Sequence, residues 1–94
     1  MKIRIRSVLT IAKILSGREI FVELREPSTI HDLLRELTEI YGREFYDAVC
    51  NETGYDPNKA AVLLNGSSVL AIGGVDIALK DGDDVLIMPV ISGG

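Results

Sequence analysis

Val85-Leu86-Ile87-Met88 is an unbroken apolar run closed by Pro89. A run without alternation suits a strand covered on both faces, which is usually a central one. Pro89 lacks an N–H and forbids regular pairing at its own nitrogen. The chain therefore has to build a sheet on both sides of a strand near its C-terminal end. The N-terminal third supplies two partners. From Lys2 to Val8 apolar Ile3 and Ile5 alternate with Lys2, Arg4 and Arg6, the pattern of a half-buried strand. From Arg18 to Arg25, Ile20, Val22 and Leu24 alternate with Glu19, Phe21 and Glu23. The connector Leu9 to Ser16, ended by Gly17, is too long for a tight hairpin and carries Ile11, Ile14 and Leu15. It is expected to form a helical turn packed on the edge of an antiparallel pair.

Pro27-Ser28-Thr29 breaks the second strand. Thr29 followed by Asp32 reads as a helix N-cap with an acid at the third helical position. Ile30, Leu33, Leu34, Leu37, Ile40 and Tyr41 recur every three or four residues as one apolar stripe, and Gly42 supplies the stop. A shorter helix is expected over Glu44 to Cys50, with Phe45, Val49 and Tyr46 inward, and a loop over Asn51 to Asn58. Ala60 to Leu64 is an apolar strand ending at the tight turn Asn65-Gly66. A short strand is expected over Val69 to Ile72, followed by a Gly73-Gly74 turn. Lys80-Asp81-Gly82-Asp83 makes a second tight turn into the last strand. With that strand beside the first, the compact solution is α+β: a mixed sheet with one main helix packed across it, a β-grasp roll.

Composition then excludes several classes. At 94 residues and 47% apolar, the chain holds one domain and can bury a core. The net charge of −4, with no Lys/Arg run and few aromatics, argues against nucleic-acid binding. The acidity serves solubility or docking to a basic groove on a partner. One Cys and one His cannot make a structural zinc site, and Cys50 has no second thiol to pair with. That suits a reducing, cytoplasmic setting. No apolar stretch approaches the roughly 20 residues of a membrane span, and the alternating N-terminus is not a signal peptide.

The final Gly93-Gly94 is not explained by folding, because glycine loses the most entropy on ordering and brings no side chain to pack. It suits a tail that threads a narrow channel in another protein, where any Cβ would clash. The terminal carboxylate of Gly94 is then the candidate reacting group, open to activation by ATP as an acyl-adenylate. Residues 1–89 are expected as the folded domain and 90–94 as a flexible tail of at most ~17 Å reach. Ser92 and Gly93 belong to that tail, and Met88, Pro89, Val90 and Ile91 are the candidate docking residues around its base. Val85 and Ile87 share one face of the strand, with Leu86 and Met88 on the other. Alternation alone does not decide which face is buried.

These features resemble the small subunit of molybdopterin synthase, within the ubiquitin-like sulfur carriers. The resemblance is carried by Val62-Leu63-Leu64-Asn65-Gly66, by Lys80-Asp81-Gly82-Asp83-Asp84-Val85 and by Pro89-Val90-Ile91-Ser92-Gly93-Gly94. It implies a ubiquitin-like β-grasp fold and a non-catalytic carrier subunit. Gly94 would be adenylated by an E1-like adenylyltransferase that uses ATP, then converted to a thiocarboxylate. The tail would enter the large subunit of molybdopterin synthase and give sulfur to cyclic pyranopterin monophosphate. No cofactor or metal would be bound by the carrier itself. Two positions depart from the family pattern: Val90 stands where a second proline is common, and Arg6 where a docking aromatic is sometimes found.

Other chemistry-bearing residues read as structural. His31 is a solvated residue of the first helical turn. Cys50 is a buried thiol. Gly73-Gly74 lacks the Lys-Ser/Thr of a phosphate loop. Asp81, Asp83 and Asp84 are explained by their turn without a metal. Three other functions share the sequence features: a protein modifier joined to lysines through Gly94, a carrier for thiamine or another thio-cofactor, and a plain binding module with an incidental Gly-Gly.

Overall fold

A computed structural model describes residues 1–91. The elements in chain order are β1 (Lys2–Ser7), α1 (Leu9–Ile14), β2 (Glu19–Glu23), α2 (Ile30–Tyr41), α3 (Arg43–Val49), β3 (Cys50–Asn51), β4 (Gly54–Tyr55), β5 (Ala60–Leu64), β6 (Ser67–Ser68), α4 (Val69–Ile72) and β7 (Asp84–Pro89). The main sheet runs β2-β1-β7-β5-β6. β7 is therefore central, parallel to β1 on one side and antiparallel to β5 on the other. This is the ubiquitin-like β-grasp expected from the strand order.

Side-chain rows follow the register. Ile20, Ile5, Val85 and Leu64 lie in one row, and Ser7, Ile87 and Val62 in the next. Ile3, Ile5, Val85 and Ile87 are fully buried there against Ile30, Leu33 and Leu37 of α2, Ile11 of α1, and Phe45 and Val49 of α3. α2 starts where the sequence places it. The Thr29 hydroxyl accepts from the Asp32 N–H at 3.2 Å, and the Asp32 carboxylate accepts from the Thr29 N–H at 2.9 Å. The Thr29 N–H, and after it the Thr29 hydroxyl donating to the same carboxylate at 3.1 Å, hold the Asp32 carboxyl below its ordinary range.

Four local expectations differ from the structure. β7 is covered on one face only: Leu86 and Met88 are half-buried on the face turned away from the helices. Its centrality, not double coverage, explains the unbroken apolar run. Ile40 completes the periodic stripe of α2 but is 54% exposed, while Tyr41 after it packs on the core: in the last turn only one flank of the stripe is covered. Val69 to Ile72 is a helical turn rather than a strand: Ser67 and Ser68 already close the hairpin, and the chain then curls so that Val69 enters the core. A four-residue apolar run cannot be assigned by periodicity alone. The expected loop after α3 holds a small hairpin, pairing Cys50 with Tyr55 and Asn51 with Gly54. The Asn51 side chain accepts from both the N–H and the hydroxyl of Thr53, which closes the tip.

Candidate functional site

The two turn motifs lie together at one end of the β5–β7 pair. The Asp84 N–H donates to the Asn65 side-chain oxygen at 2.9 Å, and the Asn65 amide group donates to Asp83 at 3.0 Å. The other Asp83 oxygen accepts from the Lys80 N–H at 2.7 Å. Asn65-Gly66 and Asp81-Gly82-Asp83 therefore cross-brace each other and fix the register of β7. Asp84 is taken by a forked pair from Arg6, Nε to Oδ1 at 2.9 Å and Nη2 to Oδ2 at 2.7 Å. The hydrogen bond to Arg6 holds the Asp84 carboxyl below its usual range. Asp81 accepts from the Lys2 N–H at 2.7 Å, so each acidic residue of this turn has a structural partner.

At the opposite end of β7 the chain leaves the sheet. Pro89 remains paired in the ladder, facing Ala60, rather than ending it. The bond that follows does not need a proline nitrogen: the Val90 N–H donates to the Lys59 carbonyl at 2.9 Å. Val90 and Ile91 then stand out as large apolar side chains, 43% and 77% exposed. Ser92, Gly93 and Gly94, the remaining tail residues singled out in the sequence, lie outside the described residues.

Met88 joins a surface that the sequence reading did not assemble. On the face away from the helices, Leu86 sits opposite Leu63 and Met88 opposite Ala61. These four half-buried residues form an apolar strip that runs to the base of the tail. The other half of that face is charged: Arg4 pairs with Glu19, Arg6 with Asp84, and Lys2 lies over the ring of Phe21 at 4.6 Å. The missed signal was Asp84 itself, a polar residue on the same side of β7 as Leu86 and Met88. Arg6, which stands where a docking aromatic is sometimes found, belongs to the charged half. A half-buried apolar strip beside two protruding apolar residues is the composition of a partner surface.

The other candidates fall elsewhere. His31 is exposed on α2. Cys50 is 5% exposed, and burial pushes its thiol up. It lines a groove of about 330 Å³ with Leu34, Tyr46 and Tyr55, between α2 and the β3–β4 hairpin. Among the described residues no group of three or more His, Cys, Asp or Glu is placed to hold a metal ion, and no helix is long and apolar enough to cross a membrane.

Comparison with known proteins bears on this tail-centred arrangement. The ThiS family model matches residues 8–94. The chain belongs to the ThiS family. This ThiS-family chain is 29% identical to small archaeal modifier protein 3 of Haloferax volcanii, over the whole length of both. Its fold superposes on the solution structure of the HVO 2177 protein of the same organism with a TM-score of 0.86, at 28% identity, covering 100% of this chain and 87% of that one. It also superposes on a provisional molybdopterin converting factor, subunit 1, from Pyrococcus furiosus, with a TM-score of 0.79 at 26% identity, covering 97% and 99%. The ThiS-family β-grasp thus occurs both in a protein named as a modifier and in one named for molybdopterin conversion.

Proposed function

We propose that this ThiS-family chain is a carrier whose reacting group is the carboxylate of Gly94. The observation that carries the reading is the exit geometry. The central strand of the fold leads the chain to a bond at Val90, with exposed Ile91 after it and an apolar strip beside its base. A firmly held base aims the tail, and the strip gives a partner something to grip.

The chemistry proceeds in two displacements. A Gly94 carboxylate oxygen attacks the α-phosphorus of ATP held by an E1-like adenylyltransferase, and pyrophosphate leaves. Hydrosulfide then attacks the acyl carbon, the acyl–phosphate oxygen bond breaks with AMP as leaving group, and loss of the proton leaves a thiocarboxylate. In the reading favoured by the tail and turn motifs, the carrier is the small subunit of molybdopterin synthase. It inserts the thiocarboxylate into the large subunit and donates sulfur to cyclic pyranopterin monophosphate. Met88, Pro89, Val90 and Ile91 dock, Ser92 and Gly93 thread the channel, and the chain binds no cofactor. The provisional molybdopterin converting factor among its relatives supports this.

The full-length likeness to a small archaeal modifier protein favours a second reading, in which a lysine amine of a target attacks the activated Gly94 and forms an isopeptide bond. The readings share the first displacement and part at the second. Cells expressing the tagged protein are compared with cells expressing a form lacking Gly93 and Gly94. High-mass conjugates on a denaturing gel that vanish with the deletion mean modification. A carrier devoted to sulfur transfer gives a single band, and its deletion abolishes molybdopterin formation.

A further inference from the structure

Lys59 hydrogen-bonds both to the base of the tail and to the α3–β4 segment. Its carbonyl accepts the Val90 N–H at 2.9 Å, the last described bond before the tail leaves β5. Its ammonium group reaches the other way and donates to the carbonyls of Asp47 at 3.0 Å and Cys50 at 2.8 Å. Those carbonyls lie in the last turn of α3 and at its capping residue, where backbone acceptors lack helical partners and a lysine is well placed to satisfy them. The Lys59 backbone is fixed as well: its N–H donates to the Asp56 carbonyl at 3.0 Å, and the Asp56 N–H donates to the Val49 carbonyl at 3.0 Å. The Asp56 carboxylate in turn accepts from the Asn51 side chain at 3.1 Å.

We infer that Lys59 is a positioning residue that sets the direction in which the tail leaves the sheet, with the Arg43–Lys59 segment as its buttress. The physical need is local. Pro89 faces Ala60 at a non-hydrogen-bonded position of the ladder, so beyond Met88 a single described bond ties the chain to β5, and its acceptor is the Lys59 carbonyl. A carbonyl fixed on both sides, by its own side chain on α3 and by the turn at Asp56, holds that bond in one direction. Aiming a reactive end before it meets a narrow channel reduces the entropy lost on insertion. The Arg43–Lys59 segment thereby acts on the base of the tail at Val90.

This inference rests on the carrier reading, but one of its readouts does not. In Lys59→Met the apolar stem is kept and both ammonium bonds are lost; Lys59→Arg keeps two donors. Amide hydrogen exchange by NMR on the full chain is the first measurement. Exchange at Val90 should quicken several-fold in Lys59→Met and return towards wild type in Lys59→Arg, while Val62 and Ile87 in the sheet centre stay unchanged. The second is single-turnover adenylation of Gly94 by the source organism's E1-like enzyme with ATP. Its rate at saturating carrier should fall several-fold in Lys59→Met and be rescued by Lys59→Arg. Unchanged Val90 exchange in Lys59→Met overturns the inference. So does quicker exchange with an unaltered adenylation rate. A wild-type chain that is not adenylated at all defeats the carrier reading instead, and the exchange data alone then decide whether Lys59 fixes the tail base.

Discussion

Arg6 and Asp84 join β1 to β7 by a two-pronged pair, 2.9 and 2.7 Å, although they are 78 positions apart in the chain. The parallel strands bring the first and last elements together, and this fork lies on the open face of that junction. Arg4 adds a longer contact to the same carboxylate at 3.8 Å.

The pair predicts a pH dependence. The folded-state Asp84 carboxyl lies below the unfolded value of about 3.9. Its contribution is therefore present above that unfolded value and is lost as pH falls through the folded one. Thermal melts of wild type and Arg6→Met should differ at pH 7 and converge as the pH drops well below 4. Both groups are partly solvated, so the difference at pH 7 should be small and should shrink in high salt.

The shorter helix α3 should behave as core, not decoration. Phe45 is fully buried among α1, α2 and the sheet. Phe45→Ala should cost about 3–5 kcal/mol. For a domain of this size that lowers the melting temperature by on the order of 20 °C. Ile40→Ser, at a half-exposed site, should change stability by no more than about 0.5 kcal/mol. Differential scanning calorimetry of the two variants checks the contrast.

Much of this was legible in the residues. Alternation in β1 and β2, the Thr29–Asp32 cap and the two Gly-containing turns are local signals, and the structure follows each of them. What was not legible is set by tertiary context. The side of β7 facing the helices depends on which neighbours flank it, and the strip of Ala61, Leu63, Leu86 and Met88 exists only once β5 and β7 are in register. The Val69–Ile72 run takes its form from where the preceding hairpin ends. Lys59 carries no sequence signal of its role, since a lone lysine before a strand is ordinary.

Cys50 should be chemically quiet. Its thiol is pushed up by burial and is 5% exposed. Alkylation by iodoacetamide at pH 8 should be on the order of 100-fold slower in the native protein than in urea, because it waits on local opening. Rapid native alkylation, followed by intact mass, would instead make Cys50 an accessible nucleophile.

The two halves of the open face should separate in partner binding. Leu86→Lys places a charge in the apolar strip and should weaken binding to the E1-like enzyme at least tenfold, about 1.4 kcal/mol. Phe21→Ser, on the charged half, should change affinity by less than about threefold. Calorimetric titration gives both values, and circular dichroism confirms that each variant is folded. Equal losses in both variants would move the docking surface away from the tail.

The central claim is that reaction occurs at the carboxyl of Gly94. Intact mass spectrometry of the protein, before and after incubation with the proposed E1-like partner, ATP and a sulfur donor, tests it most directly. The account predicts a gain equal to one sulfur replacing one oxygen, located by fragmentation to the C-terminal glycine and absent when ATP is omitted. An unchanged mass, or a modification found on any internal residue, would contradict it.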